Sequence, residues 1–201
     1  MARFNFVKIV VRDLAAMEQF YIAGLGFAVQ DRIDAEGFSE VMLAQKAGAF
    51  TLVLYHHTDQ RALDMATARV TERETFGKLL SDRQGVQFML ADCASELYMA
   101  RLMLLHIAYK AERGMDLRQE NSIAKVFLAH MVHKVVDTAI QLHGALGYSQ
   151  DTPLAAWYTH IRSQRLVDGP DEVHRWTVGR NVIKAYKEHG TTASAAGGDL
   201  I

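Results

Sequence analysis

The placement of proline constrains the fold of this chain more than any other sequence feature. The two prolines, Pro153 and Pro170, both lie in the last quarter of the chain. Proline interrupts a helix interior because it has no backbone N–H and its ring clashes with the preceding turn. Residues 61–152 contain no proline, and their apolar residues recur at helical spacings. This long segment is therefore predicted to form helices that pack as a bundle.

Glycines and polar residues mark where the predicted helices begin and end. Ser81 and Gln84 have capping-box spacing and open a long helix to about Arg113, where Gly114 ends it. Gly144 ends the following helix in the same way. The predicted helices cover residues 61–74, 81–113 and 120–143, a fourth beginning at the Thr152–Pro153 pair, and residues 171–189.

The segment before residue 56 has a pattern that is typical of strands. Residues 4–55 contain four runs rich in β-branched and aromatic residues, with a helix after the first run that Asp13 can cap. The runs are "FNFVKIVV", "FAVQDRI", "SEVMLAQ" and "AFTLVLY". The fold class predicted for the whole chain is α+β: a small βαβββ sheet module followed by an all-α, up-and-down helical bundle.

Three parts are predicted on this basis. Residues 1–58 form the sheet module and residues 59–189 form the helical bundle, while residues 190–201, which are small, polar and rich in glycine, form a disordered tail. A single helix covers only one face of a sheet, so the other face is expected to contact a partner. A homo-oligomer is therefore predicted.

Composition excludes several classes of protein. The 201-residue chain has 22 Lys and Arg against 23 Asp and Glu, a net charge of −1, so no nucleic-acid or membrane partner is expected. Cys93 is the single cysteine, which excludes a disulfide framework within the chain and favours a reducing compartment. The apolar run at the N-terminus is too short for a signal peptide. A cytoplasmic location is predicted.

The segment "RLVDGPDEVHR" (165–175) places three carboxylates around a Gly-Pro step. Its residues suit the start of a helix, because Pro170 fits the first helical position and Asp168 can cap it. Asp171 and Glu172 would then oppose the positive end of the helix dipole. One of these acids could instead serve as a catalytic base, and the residues alone leave both interpretations open.

The helical half, about residues 61–189, resembles the C-terminal domain of the acyl-CoA dehydrogenases. The segment "RETFGKLLSDRQGVQF" (73–88) is similar to a flavin-contacting segment of that family. The segment "AIQLHGALGYSQDTPL" (139–154) is similar to its Gln-His-Gly-Gly-x-Gly-Tyr motif. Residues 165–175 stand where most members have Tyr-Glu-Gly-Thr, and are closer to a branch that carries Asp-Gly-Pro-Asp-Glu-Val-His.

This resemblance implies FAD as cofactor and an acyl-CoA as substrate. In the family a carboxylate removes the α-proton and the β-hydrogen passes as hydride to the flavin; the matching carboxylate here is Asp168. The matching cofactor-contacting positions are Arg73, which would contact the FAD pyrophosphate of a neighbouring subunit, and Phe76, Gln84, Gln141, Gly144 and Gly169. Two positions depart from the family pattern, with Ala145 in place of its second glycine and Pro170 in place of its threonine.

The first half, about residues 4–55, resembles one βαβββ module of the vicinal oxygen chelate superfamily, which includes the glyoxalases. The segment "VRDLAAMEQFYIAGLGF" carries the similarity. That superfamily holds a divalent metal, yet its first ligand position is Phe6 here and the strand "TLVLY" offers no Glu. The neighbouring His56 and His57 would point to opposite faces of a strand. No metal site is predicted.

Three hypotheses for function follow. The first is an FAD-linked oxidoreductase of acyl-CoA dehydrogenase type, incomplete as a single chain because the family's N-terminal and middle domains have no counterpart in the sequence. The second is a non-catalytic chimera whose bundle serves oligomerisation or binding. The third is a glyoxalase-like lyase or a binder of small ligands.

Overall fold

A computed structural model describes residues 6–11, 13–24, 27–35, 38–45, 51–56 and 58–197. His57, considered above as a metal ligand, and residues 198–201 of the predicted disordered tail lie outside the described residues. The described chain is mostly helical, with a sheet in its first part. Within the described ranges, no helix has the length and apolar character needed to cross a membrane.

Four strands form one sheet in the first part of the chain. They are β1 (Phe6–Val11), β2 (Phe27–Ala35), β3 (Phe38–Gln45) and β4 (Thr51–His56). Their spatial order is β1-β4-β3-β2, with β1 parallel to β4 and the other neighbours antiparallel. Helix α1 (Leu14–Gln19) and a π-helical turn (Phe20–Gly24) connect β1 to β2. The likeness of this sheet to a chelate-type module stays a prediction.

The predicted cap of α1 is confirmed. Asp13 precedes the helix with extended backbone, and its side chain accepts a hydrogen bond from the backbone N–H of Ala16 at 2.9 Å. This bond satisfies one of the N–H groups that a helix start leaves without an intrahelical partner.

Residues 58–197 form six α-helices, a hairpin and three 3-10 turns. A two-stranded hairpin, β5 (Glu74–Thr75) and β6 (Lys78–Leu79), and a 3-10 turn (Leu80–Asp82) lie between α2 and α3. Two further 3-10 turns are Ser163–Arg165 and Ala193–Ala196. The helices are α2 (Thr58–Glu72), α3 (Gln84–Glu112), α4 (Arg118–His143), α5 (Ala145–Tyr148), α6 (Leu154–Arg162) and α7 (Asp171–His189).

Glycine ends two of the helices where the sequence indicated. Gly114 follows α3 with φ +65° and Gly144 follows α4 with φ +66°, a backbone conformation that side-chain-bearing residues rarely adopt. The end of α7 is similar, since Gly190 caps it in the left-handed conformation. The prediction of a disordered tail does not describe residues 193–196, whose 3-10 turn is held by a bond from Gln119 Nε2 to the carbonyl of Ala195 at 2.7 Å.

The predicted capping box at the start of α3 is wrong. Ser81 lies inside the 3-10 turn that precedes the helix, and no side chain caps α3 at Arg83. The carbonyl of Ser81 instead accepts a bond from the side chain of Gln87 at 2.9 Å. A chain that tightens into a 3-10 turn just before a helix has moved the serine out of capping register. Helix α6 begins at Leu154, close to the predicted start at the Thr152–Pro153 pair, and no side chain caps it.

Two hydrophobic clusters form the core. The larger one lies within the bundle, between α2, α3, α4 and α6, and its members include Ala66, Val70, Leu97, Val135, Val136, Leu154 and Ile161. The second joins the first part of the chain to the bundle through Tyr21, Phe27, Val41, Leu43, Leu104, Ile107 and Ala124. Side chains of β2 and β3 therefore share a core with α3 and α4, so the sheet does not stand apart from the bundle.

Candidate active site

The segment that carries the predicted base is a tight turn at the start of α7. Residues 166–170, called here the Asp168 turn, connect the 3-10 turn Ser163–Arg165 to α7. Asp168 and Gly169 both have positive φ, +57° and +91°. Glycine adopts such values freely, and aspartate does so more readily than most other residues. The Asp168 side chain is exposed and Gly169 is half-buried.

Asp168 does not cap α7, contrary to the prediction made from the sequence. Pro170 occupies the capping position, and no side chain bonds to the free N–H groups of the first turn. The backbone carbonyl of Asp168 lies 3.1 Å from Nε2 of His174, which donates a hydrogen bond to it. The left-handed backbone at Asp168 therefore directs its carbonyl toward the helix and leaves its carboxylate at the surface.

Asp171 lies at the centre of a buried ion-pair cluster, called here the Asp171 cluster. Its side chain is only 2% exposed. Oδ1 accepts a hydrogen bond from Lys125 Nζ at 2.9 Å, and Oδ2 accepts from His130 Nε2 at 2.9 Å and from Arg165 Nε at 3.0 Å. Both acids lie in the first turn of α7, as predicted, but Asp171 is also buried in ion pairs that the sequence did not indicate, while Glu172 is exposed.

The pKa values of the two buried groups near the turn, Asp171 and His174, are both lowered. Burial alone would raise the pKa of Asp171, but the hydrogen bonds from Lys125, Arg165 and His130 outweigh it and lower the pKa to about 2. Burial lowers the pKa of His174, although its bond to the carbonyl of Asp168 acts in the opposite sense. At neutral pH the cluster therefore contains an ionised Asp171, and the imidazole of His174 is neutral.

Local patterns in the sequence did not reveal the Asp171 cluster. Lys125 and His130 lie on α4, 46 and 41 residues before Asp171, so they meet it only through packing of α4 against α7. Acids are also common in the first turn of a helix where they are exposed, so the position of Asp171 did not indicate that it is buried. Arg165 offered the one local signal, because it and Asp171 flank the Asp168 turn symmetrically.

The first predicted cofactor segment is the hairpin between α2 and α3. Phe76 and Gly77 form its turn with φ +50° and +71°, the positive pair that a tight two-residue hairpin requires. Phe76 is 99% exposed, and Arg73 and Gln84 are exposed as well. The guanidinium of Arg83 lies 6.0 Å from the Phe76 ring and donates to the carbonyl of Thr75.

The second predicted cofactor segment is the turn after α4. Gln141 and Gly144 are exposed there. Gly144 has φ +66° and ψ −143°, while a Cβ at this position would meet no atom within 4 Å. Gly147, which sequence reasoning did not single out, is different, since its added Cβ would lie 2.8 Å from backbone atoms of Ile140. Glycine is therefore needed at position 144 for its positive φ, and at position 147 for the close approach of α5 to α4.

In the described part of the chain, the predicted site residues lie on three separate segments: the hairpin, the turn at Gly144 and the Asp168 turn. Among the described residues, no hydrogen bond or ion pair joins the hairpin, the turn at Gly144 and the Asp168 turn. Asp171 contacts α4 at His130, and Gly144 follows His130 by 14 residues. At about 1.5 Å per residue, Gly144 therefore lies about 20 Å along α4 from the contact that anchors the Asp168 turn.

The histidines of α4 have structural partners. His130 binds Asp171, and the ring of His133 packs edge-on against Tyr158 at 4.4 Å between centroids. Nδ1 of His143 bonds to the carbonyl of Ala139 at 2.8 Å. In the part of the chain that the structure describes, no three His, Cys, Asp or Glu residues are grouped to hold a metal ion.

A shallow groove runs between α4 and α7 beside the Asp171 cluster. It has a volume of about 500 Å³ and includes His130 of the cluster. The other lining residues, mostly apolar, are Ser122, Ile123, Val126, Phe127, Arg175, Val178 and Gly179. Such a surface can hold an apolar group with a charged residue at its edge.

Comparison with known proteins relates these segments to one family. The sequence model described as "Acyl-CoA dehydrogenase, C-terminal domain" matches residues 35–183. The match begins inside the segment that resembles a chelate-type module. "Acyl-CoA dehydrogenase family member 11" of Gallus gallus is 41% identical over 123 residues, 60% of this chain and 16% of that protein. "(R)-benzylsuccinyl-CoA dehydrogenase" of Thauera aromatica is 37% identical over 125 residues, 62% of this chain and 31% of that protein.

Solved structures give the same result for the fold. The crystal structure of acyl-CoA dehydrogenase from Geobacillus kaustophilus superposes with a TM-score of 0.59 at 29% identity, covering 61% of this chain and 32% of that one. PigA in its FAD complex superposes with a TM-score of 0.58 at 22% identity, which shows the fold alone. The chain spans less than a third of the length of each of these four proteins. Because the family model covers most of its sequence, the chain belongs to the acyl-CoA dehydrogenase family, through that family's C-terminal domain.

Proposed function

We propose that this chain supplies the base and part of the cofactor-contacting surface of an FAD-linked acyl-CoA dehydrogenase. The observation that supports this is the Asp168 turn, where the residue in register with the family's base presents an exposed carboxylate from a backbone that His174 holds. In this proposal Asp168 takes the α-proton of the acyl thioester onto a carboxylate oxygen. Bound FAD would accept the β-hydrogen as hydride.

Enclosure of Asp168 is the main requirement of this proposal. A general base works best when water is excluded and its pKa approaches the working pH. The Asp168 side chain is exposed in this chain, and the part that aligns makes up only 16% and 31% of the relatives with that chemistry in their names. We therefore assign the cover of Asp168 to further polypeptide, either from a longer form of the chain or from a neighbouring one.

The exposed residues of the hairpin fit a dinucleotide cofactor. Arg73 offers an exposed guanidinium, whose fork of N–H groups pairs with phosphate oxygens. Phe76 offers an aromatic ring that is almost fully exposed. The distance of about 20 Å along α4 between the Gly144 turn and the anchor of the Asp168 turn favours a cofactor that is long or shared between chains.

Titration with FAD, followed by quenching of flavin fluorescence, tests the cofactor assignment. The chain is expected to bind FAD, and Arg73→Gln and Phe76→Ala are each expected to weaken binding at least tenfold. Lys78→Gln is the matched control, because Lys78 is an exposed cation of the same hairpin that the assignment does not use. Equal weakening by Lys78→Gln, or no saturable binding by the parent chain, would contradict the proposal.

A second candidate function, an assembly module, is favoured by the surface of α3. The exposed residues Tyr98, Leu102, Leu105 and Tyr109 recur at helical spacing and form one apolar row. If this row joins chains, Leu105→Lys will lower the molar mass measured by light scattering, whereas Met99→Lys, at an exposed apolar position of α3 outside the row, will not. A parent chain that is monomeric at micromolar concentration would exclude this function.

A further inference from the structure

We propose that Asp171 and His174 are positioning residues that hold Asp168 in the conformation from which it acts. Asp171 would fix the two ends of the Asp168 turn, and His174 would fix the peptide in its middle. The consequence for catalysis rests on the proposed function, but the placement of the Asp168 backbone can be tested without turnover.

The two ends of the Asp168 turn are joined by a side-chain bond. Arg165 is the last residue before the turn and Asp171 is the first residue after it, and their side chains meet at 3.0 Å. This bond joins the two ends of a five-residue connection, so the intervening backbone has few ways to rearrange. A guanidinium–carboxylate bond at a side chain 2% exposed is shielded from competition by water.

The Asp168 turn is also attached to the helical bundle. Lys125 and His130 on α4 bind the two oxygens of Asp171. The Asp171 carboxylate therefore connects α4, α7 and the 3-10 turn before the Asp168 turn at one point. Because α4 is the central helix of the bundle core, this contact fixes the turn relative to the whole domain.

A hydrogen bond also holds the backbone of Asp168 itself. His174 lies six residues along the chain, is buried, and donates from Nε2 to the carbonyl of Asp168 at 3.1 Å. The bond holds that peptide group while the φ of Asp168 is +57°. With the carbonyl directed to His174, the geometry of the backbone directs the side chain away from the bundle, where it is exposed.

The cluster is larger than a helix start requires. An exposed acid in the first turn is sufficient to oppose the helix dipole, and Glu172 already meets that need. Removing Asp171 from water together with three cationic or polar donors gives little net stability compared with an apolar core. Such buried polar contacts are better explained by a need for one defined conformation, here that of the Asp168 turn.

A single isotope-labelling experiment reads this conformation directly. Asp168–Gly169 is the only Asp-Gly step in the sequence. Protein labelled with carbonyl-¹³C Asp and ¹⁵N Gly therefore gives one HNCO cross peak, which reports the Asp168 carbonyl and the Gly169 amide. The parent chain is expected to give one sharp peak, with the carbonyl shifted downfield by its hydrogen bond.

The variants separate positioning from mere structure. His174→Phe is expected to move the carbonyl resonance upfield, and His174→Gln, whose amide N–H can replace the imidazole donor, to restore part of the shift. Asp171→Asn is expected to broaden or split the peak, and Arg165→Gln tests the same closure if that variant does not fold. Glu172→Gln is the control and should leave the peak in place. An unchanged peak in both His174→Phe and Arg165→Gln would overturn the proposal.

Kinetics of the full assembly then tests the catalytic consequence. His174→Phe is expected to lower kcat at least tenfold with little change in KM, and His174→Gln to recover part of that loss. A moved peak with unchanged kcat would show that the contacts are structural only and would overturn the positioning role. Absence of turnover in the parent enzyme would refute the proposed function, and the HNCO peak would still decide whether His174 and Asp171 hold Asp168.

Discussion

Replacement of Asp171 by asparagine is expected to destabilise the fold in a pH-dependent way. The carboxyl pKa falls from 3.8 to about 2 on folding. At about 1.4 kcal/mol for each pKa unit, this corresponds to about 2 kcal/mol of stability at neutral pH. The variant also leaves Lys125 and Arg165 without their counter-charge. Their side chains keep 17% and 32% exposure, so we expect this cost to be small and the total to be about 2–3 kcal/mol.

The sign of the pH dependence follows from the depressed pKa. Stability from ionised Asp171 is fully present above the unfolded-state pKa of 3.8 and is lost as pH falls toward about 2. Urea unfolding of the parent chain and of Asp171→Asn, at pH 7 and at several values between 4 and 2.5, measures the difference. We expect the difference to shrink across the acid range, and Glu172→Gln to show no such trend. A difference below about 0.5 kcal/mol at pH 7, within the range of ordinary surface substitutions, would refute the reasoning.

Two further predictions concern single residues. The NMR signal of the Cε1 proton of His174, assigned by comparison with His174→Gln, is expected to titrate with a midpoint below 6.5, because burial lowers the pKa of His174. Since the unfolded chain binds the proton at a higher pH than the folded chain, stability falls as pH drops below 6.5. A midpoint at or above 6.5 would contradict the effect of burial. Gly144→Ala is expected to destabilise the fold by about 1–3 kcal/mol, because its φ of +66° and ψ of −143° suit glycine alone. Gly179→Ala, in the interior of α7 with open space around it, should instead stabilise by about 0.5–1 kcal/mol, and equal effects of the two in thermal unfolding would refute the backbone argument.

The parts of the fold that depend on neighbouring residues could be predicted from the sequence. The stop signals Gly114 and Gly144 and the cap Asp13 act within one turn of chain, and the structure confirms all three. The start of α3 was missed although Ser81 and Gln84 have the right spacing. A 3-10 turn and a capping box compete for the same few residues, and in the structure the 3-10 turn forms.

The site was harder to predict because its contacts are remote in the chain. Family register identified Asp168, whose role remains a proposal, but it did not indicate its left-handed backbone or its exposure. The helix-start pattern gave Asp171 the role of a charge opposing the helix dipole, whereas the structure buries it and pairs it with Lys125 and His130, more than 40 residues earlier, and with Arg165. Only the packing of α4 against α7 brings these groups together, and that packing leaves no local pattern.

The most direct test of the central claim is reduction of bound flavin by substrate. The full assembly, which includes the polypeptide that covers Asp168, is loaded with FAD, made anaerobic and mixed with a saturated acyl-CoA while the visible flavin band is recorded. Loss of that band in the parent protein, with at least a hundredfold slower loss in Asp168→Asn, is the result that the account predicts. A full assembly that binds FAD but loses the band equally fast with Asp168→Asn, or does not lose it at all, would contradict it.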